Sequence, residues 1–242
     1  MLRQLVPEPA ADHRAFDPFD ESGLGLLLDA YEPPHRDWFR INFVASVTGS
    51  AAGADGTSET LTNRIDRRIL GVIRAQADLV LVGAGSVRAE GYRMPKSTTL
   101  GIVTGSGRLE GHRIEGDVEG RIVVLCPASA MAAAGAAIPG AELIEVAEHD
   151  GRLEPAAVLA AARRAGYRSI VCEGGPNLAG QFVAAGLVDE LCLTTSPMLS
   201  ANLLPVLGGR EFAPVPVRLH RLLVDGDSAL YARWLAADSV DP

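Results

Sequence analysis

A succession of short, continuous apolar runs separated by stretches with helical spacing is what most narrows the folds open to this chain. Runs of strand length stand at 39–46, 79–82, 100–104, 121–126, 142–146, 169–172 and 188–195, and two alternating runs, 217–224 and 228–236, close the sequence. Unbroken apolar runs belong to strands buried on both faces, as in a parallel sheet sandwiched between helices. Between them, residues 62–77 place Ile65, Ile69, Leu70, Val72 and Ile73 on one side of a helix and Arg64, Arg67 and Arg68 on another, with Thr62 as the expected N-cap and Asp66 a turn on. The stretches 154–165 and 177–185 also read as helices, ending at Gly166 and Gly186. Asp225-Gly226 between the last two runs is a hairpin signal. The expectation is a single α/β domain over residues 38–242, with a mostly parallel central sheet, a C-terminal antiparallel hairpin and helices on both faces. Residues 1–37, rich in Pro, Asp and Glu with one apolar patch at 24–28, read as an N-terminal extension of one or two helical turns packed on that body.

Composition removes several classes of function. A net charge of −8 supplies no basic face for nucleic acid or an anionic membrane, although a small anion can still be held by local cations and backbone donors. No apolar run reaches the length of a membrane span, and residues 1–9 lack the apolar core of a signal peptide, so a cytoplasmic protein is expected. Cys126, Cys172 and Cys192 each lie inside an apolar run, without CxxC spacing or clustered histidines, and read as buried hydrophobes with no metal to bind.

Four turns fall where strands should end. The stretch SIVCEGGPNL (169–178) breaks an apolar run on paired glycines and restarts as a helix: Gly174 and Gly175 allow close backbone approach, and Pro176 suits a first helical position. The free N–H groups of such a helix face an anion, although a tight structural turn would read the same way. A second glycine turn, VGAGSV (82–87), lacks the third glycine of the dinucleotide fingerprint and has no acid about 20 positions on, but can line a cofactor groove. The third, NFVASVTGSA (42–51), is rich in small residues; a flat ring can lie against its backbone, with Asn42 and Thr48 on the substrate side, or it is a plain polar loop. The fourth, EGYRMPK (90–96), sets Arg93 and Lys96 beside a glycine and an acid, where they can hold a phosphate or carboxylate or remain solvated surface charges.

The order of these motifs resembles the reductase domain of the bacterial riboflavin-biosynthesis enzyme RibD, a member of the dihydrofolate-reductase-like fold. NFVASVTGSAA (42–52), RIDRRILGVIRAQADLVLVGAGSVRAEGY (64–92), VCEGGPNLAGQFVAAGLVDEL (171–191) and TTSPMLS (194–200) carry the resemblance. It implies NADPH-dependent reduction of 5-amino-6-(5-phosphoribosylamino)uracil to the ribitylamino product. It assigns Gly83, Ala84, Gly85, Ser86 and Val87, then Gly174, Gly175, Pro176, Asn177 and Leu178, to the cofactor, with Thr62 and Asp66 also facing it. Ala45 and Ser46 would hold the nicotinamide edge, and Thr104, Ser106 and Arg108 the 2′-phosphate. Glu173, Arg74, Arg93 and Lys96 fall on the substrate side, and Glu90 or Glu173 is the expected proton source if burial raises its pKa, with water as the alternative.

Two departures sit on the substrate side: the family's SLDGK or SLDGR is here SVTGS (46–50), and its Asp-Asp-Pro is here Glu90-Gly91-Tyr92. A pterin reductase of the dihydrofolate-reductase type, or an NADPH-binding protein without turnover, are therefore alternatives. The zinc deaminase that usually accompanies this domain, with its HxE and PCxxC motifs, is not seen, so a stand-alone reductase is expected. Apolar edges at 188–193 and along the last two runs suggest a homodimer.

Overall fold

The computed structural model describes residues 1–8, 15–89, 92–115, 120–201 and 204–237. Along the chain the elements are β1 (Leu2–Val6), β2 (Ala15–Phe16), α1 (Glu21–Tyr31), β3 (Trp38–Ser46), α2 (Arg64–Ala75), β4 (Leu79–Gly83) and α3 (Ala84–Ala89). There follow β5 (Tyr92–Arg93), β6 (Thr99–Val103), β7 (Ile114–Glu115), β8 (Ile122–Cys126), α4 (Met131–Ala137), β9 (Glu142–Glu145), β10 (Glu148–His149) and β11 (Arg152–Leu153). The chain continues through α5 (Pro155–Arg164), β12 (Ser169–Cys172), α6 (Pro176–Ala184), β13 (Glu190–Ser196), β14 (Val217–Asp225) and β15 (Leu230–Ala236). Eleven strands form one sheet in the order β2-β1-β14-β15-β13-β3-β12-β4-β6-β8-β9. From β13 to β9 neighbours run parallel, and from β13 outward through β15, β14, β1 and β2 they run antiparallel.

The parallel half is covered on both faces, as continuous apolar runs require. On one side Phe39, Ile41 and Phe43 of β3 join Val158, Leu159 and Ala162 of α5 and Phe182 of α6 in one cluster, in which Phe39 meets Phe182 edge-on at 4.7 Å. On the other side Leu27 and Tyr31 of α1 and Ile69, Val72 and Ile73 of α2 pack over Val80, Val82 and Val171. Pro155 starts α5 at a position where a missing N–H costs nothing, and the turn after it closes on Gly166 at φ 102°.

Where the two halves meet lies a buried ion cluster. Glu190 opens β13; it accepts from Arg233 of β15 at 2.5 and 3.1 Å and from the Trp38 indole at 2.7 Å, while the Arg40 Nε stands 3.8 Å away. The arginines reach onward to the end of α1: Arg40 donates to the Tyr31 carbonyl at 2.9 Å, and Arg233 donates to the carbonyls of Ala30 and Glu32. The last carbonyls of a helix have no intrahelical partner, so these contacts both cap α1 and fix it to the sheet. Burial alone would raise the Glu190 carboxyl, but Arg40 and Arg233 overcome it and hold the group at about 2 against an ordinary 4.5.

Three sequence expectations change. The segment 1–37 is not a turn or two of helix: Gly23, Leu27, Ala30 and Tyr31 are buried along one face of an eleven-residue α1, and β1 and β2 extend the sheet beyond β14. The α2 cap is Asn63, not Thr62; its side chain accepts from the Asp66 amide at 2.8 Å. The glycine turn after β4 is absent, because α3 begins directly at Ala84. The Ala-rich stretch 128–140 forms a short 3₁₀ turn and α4. The Asp225-Gly226 hairpin is present, with Asp225 Oδ1 accepting from the amides of Asp227 and Ala229, each at 2.9 Å.

A Glu190→Gln substitution leaves two buried guanidiniums without their counter-charge and should lower stability by about 3 kcal/mol or more. Because the folded pKa lies below the unfolded one, the contribution of Glu190, about 3 kcal/mol, is fully present above pH 4.5 and is lost as pH falls towards about 2. Urea denaturation of both proteins across that range checks both statements: the difference between them should shrink with falling pH.

Candidate functional site

The carboxyl ends of β4, β12, β3 and β13 lie side by side, and the residues singled out above collect there. Parallel strands that stop together between helices leave a crevice, the usual place for a ligand in such a sheet. Two of the four motifs are tied to each other directly. The Gly83 amide donates to the Gly174 carbonyl at 2.7 Å, which joins the end of β4 to the loop after β12. Gly174 has φ 110°, a conformation that side chains other than glycine's resist, and a Cβ there would press on the Phe43 ring at 3.2 Å.

Beyond it α6 begins, with Gly175 as N-cap and Pro176 in its first turn. Among the described residues the amides of Gly175 and Asn177 have no backbone acceptor. Two glycines let this corner pack closely. A Cβ on Gly175 would come within 2.8 Å of Ser86 Oγ, and one on Gly208, at φ 68°, would lie 2.9 Å from the Asn177 nitrogen and 2.5 Å from its Oδ1. The corner thus gathers Ser86, Gly175 and Asn177 at a helix start, where N–H groups without a backbone acceptor can meet an anion.

The substrate side is organised by α2. Asp66, Leu70 and Arg74 recur every four residues and so form one stripe along the helix. At its first turn Asp66 accepts from the hydroxyl of Thr62 and is hydrogen-bonded by Thr194 of β13. Two turns later Arg74 grips Glu173 through Nε at 2.7 Å and through a terminal nitrogen at 2.6 Å. The stripe thus reaches from β13 to the loop after β12, the two strands that flank β3, and Asn42, Val44 and Leu70 are each only half-buried. Burial pushes the Asp66 carboxyl above the ordinary aspartate range, against the hydrogen bonds from Thr194 and Thr62 and the nearby charge of Arg67.

Tyr92 completes the clasp, donating to Glu173 and accepting from Arg74 at 3.0 Å. Burial, followed by the Glu173 charge, drives the Tyr92 phenol far above its usual value. Burial alone would lower Arg74, but Glu173 and Tyr92 raise it instead. Both oxygens of Glu173 are therefore held by the Arg74 guanidinium and the Tyr92 hydroxyl, an arrangement suited to an anchor. Glu90, the other expected proton source, lies outside the described residues. Arg93 and Lys96 are exposed on the same loop, with Arg93 alternating away from Tyr92 and the buried Met94.

Hydroxyls stitch the SVTGS turn together. Ser46 Oγ lies 2.9 Å from Thr48 Oγ1, which donates to the Ser200 carbonyl and accepts from its amide, while Ser50 Oγ accepts from the Leu204 amide at 3.2 Å. Thr48 is thereby engaged within the loop pair, and Val47 and Leu199 form an apolar rim, 59% and 82% exposed. Past β6, Thr104 Oγ1 accepts from the Gly107 amide at 3.1 Å and Ser106 Oγ from the Arg108 amide at 3.4 Å, leaving the Arg108 side chain exposed. Arg88 of α3 donates to the Arg108 carbonyl at 2.6 Å, which sets a second cation beside it. Sequence reasoning missed Asn63, Tyr92, Arg88 and Thr194. Tyr92 stood out only as part of a departure from the family's pattern, and its role was hidden because its partner Glu173 is 81 residues away. Among the described residues no cluster of His, Cys, Asp and Glu is suited to a metal, and no helix is long and apolar enough to cross a membrane.

Comparison with known proteins gives one consistent result. The family model described as the RibD C-terminal domain matches residues 37–200. The riboflavin biosynthesis protein RibD of Mycobacterium tuberculosis is 28% identical over 166 residues, 69% of this chain and 43% of that protein, so the chain spans less than half of that relative. A 2,5-diamino-6-ribosylamino-4(3H)-pyrimidinone 5′-phosphate reductase of Archaeoglobus fulgidus is 25% identical over 191 residues, 73% of this chain and 84% of that one. Among solved structures, a pyrimidine reductase-like protein from Corynebacterium diphtheriae superposes with a TM-score of 0.66 at 21% identity, covering 83% of this chain and 92% of that one, which establishes the shared fold.

The clasp can be tested without any ligand. Arg74→Ala strands a Glu173 side chain that is only 7% exposed and should destabilise the protein by about 3 kcal/mol. Arg74→Lys keeps the charge but loses the two-pronged grip, and should fall between the two in chemical denaturation.

Proposed function

Because the chain belongs to the RibD C-terminal domain family, we propose that it is an NADPH-dependent reductase that converts 5-amino-6-(5-phosphoribosylamino)uracil to its ribitylamino product. The observation that carries this reading is the meeting of a glycine-lined strand end with Asp66 in the first turn of α2, a carboxyl whose proton affinity is raised and which is hydrogen-bonded by Thr194 of β13. The cradle suits a dinucleotide: the amides of Gly175 and Asn177, which have no backbone acceptor among the described residues, can take its phosphate oxygens, and Gly175 and Gly208 let the backbone pack closely around that corner. Gly83, Ala84, Gly85, Ser86 and Val87 line the facing wall, and the backbone at Ala45 and Ser46 meets the nicotinamide edge. Thr104, Ser106 and Arg108, with Arg88 beside them, take the 2′-phosphate.

When bound, NADPH supplies the hydride that the reaction needs, and the protein's part is orientation and proton supply. Asn42 and the Val44 backbone face the pyrimidine, and Arg93 and Lys96 hold the substrate phosphate. Arg74, Glu173 and Tyr92 act as a fixed wall on that side. We assign the proton to Asp66 in place of Glu90 or Glu173, since Asp66 is a carboxyl that burial favours in its protonated form. Its protonated Oδ can donate to the nitrogen or oxygen of the open sugar as the carbon beside it is reduced.

A dihydropterin is the second candidate acceptor, favoured by the same Asp66: a carboxyl of raised proton affinity is what protonation of a pterin ring calls for. A chain that binds NADPH without turnover is the third. We also propose a homodimer. The registers of β13, β15 and β14 align Leu191 with Trp234 and Leu219, Leu193 with Ala232 and Leu222, and Thr195 with Leu230 and Val224. These rows lie on the face opposite Glu190 and Arg233, and Val217 and Leu230 on it are 50% and 37% exposed. Val217→Lys should then yield monomers by light scattering.

NADPH oxidation assayed with the phosphoribosylaminouracil and with dihydrofolate separates the three readings: turnover of the pyrimidine alone supports the first, preference for dihydrofolate the second, and silence with both the third. Asp66→Asn should lower kcat by about 10² or more. In the unsubstituted protein the rate should fall as pH rises through the Asp66 pKa, because the proton is then lost before substrate arrives. Arg108→Ala should weaken NADPH binding about tenfold more than NADH binding, as read by fluorescence titration.

A further inference from the structure

The terminal hairpin lies outside the span matched by the family model, yet it reaches the first turn of α2. Asn63 is the link. Its Oδ1 accepts from the Asp66 amide at 2.8 Å, and its Nδ2 donates to Asp225 Oδ2 at 2.9 Å and to the Tyr231 hydroxyl at 2.9 Å. Tyr231 in turn donates to Asp225 Oδ2 at 2.7 Å, closing a three-membered ring of side chains. Asp225 cannot drift, since its other oxygen accepts two amides of the hairpin turn at 2.9 Å each. Tyr231 and Asp225 are buried, at 1% and 6% exposure, so the contact excludes water from the base of α2.

We propose that Asn63, gripped by Asp225 and Tyr231, is a positioning residue through which the β14–β15 hairpin seats Asp66 against Thr194 and keeps it dry. The proposal rests on the reading of Asp66 as the proton source. An N-cap alone could be served by Ser or Thr, and Thr62 stands next door; what Asn adds is an amide that donates outward while its oxygen caps the helix. The groups facing Asp66 leave the hairpin as the decisive neighbour. From α1 comes Tyr31, from β13 Thr194, from β15 Tyr231, from the turn before α2 Thr62, and from α2 itself Arg67. Arg67 is the sole fixed cation in that set and is itself largely exposed, with a side chain paired to Glu59 at 2.7 Å. Exclusion of water therefore dominates the proton affinity of Asp66, and the hairpin is one wall of that exclusion.

Two substitutions separate this role from simple capping. Asn63→Ser retains an oxygen that can cap α2 but loses the outward donor, and Tyr231→Phe removes the hydroxyl while keeping the ring. The measurement is an NMR titration of labelled aspartate carboxyl carbons in the full chain without ligands, with the Asp66 resonance assigned by its loss in Asp66→Asn. The Asp66 midpoint should fall by about one pH unit in both variants as water gains access. The falling limb of the pH–rate profile should move down by the same amount, with KM for NADPH changed less than twofold. An unmoved midpoint in both folded variants overturns the hairpin's role. A midpoint that moves while the pH–rate limb stays put upholds that role and overturns instead the assignment of Asp66 as proton source.

Discussion

One carboxylate at the start of β13 governs how this sheet changes direction. Glu190 sits where the parallel half ends and the antiparallel half begins, and its partners come from both sides: Arg40 and Trp38 on β3, Arg233 on β15. A buried carboxylate is costly unless it is fully paired, so the strands that bring these partners must all be in register before the charge can be enclosed. The same arginines bind the carbonyls at the end of α1, which makes the position of that helix a consequence of the pairing. The groove depends on this arrangement in turn, because β3 and β13 supply its floor and α2 packs beside α1 over it.

The core was legible in the sequence because it rests on local pattern. Continuous apolar runs such as 79–82 and 121–126 became strands with boundaries shifted by a residue, and Gly166 and Gly186 end their helices at positive φ. Less was legible wherever a residue's partner is distant. Thr62 and Asn63 are both fit to cap α2, and nothing nearby favours one; the choice is made by Asp225 and Tyr231, more than 160 residues on. Residues 1–37 looked peripheral because their acids and prolines masked the spacing of Gly23, Leu27, Ala30 and Tyr31, whose burial depends on arginines contributed by β3 and β15.

The candidate site shows the same division. Paired glycines after a strand carry their own signal, since Gly174 needs a conformation that other residues resist, and that corner was found. Assignments of chemistry to single carboxylates fared differently. Glu173 and Asp66 are both acids near the groove, yet one is clamped by Arg74 and Tyr92 and the other is walled in by Thr62, Thr194 and the hairpin. Their opposite surroundings, and so the different work proposed for each, exist only once the sheet has assembled.

The stretch by which the family is recognised and the unit that folds are different lengths of chain. The match stops at residue 200, but β13 has Glu190 buried against an arginine at residue 233, and β1 leans on β14. A polypeptide ending at the family boundary would carry a bare strand edge and an enclosed negative charge short of one counter-ion. The two ends of the chain thus behave as a clip closed around the recognisable middle.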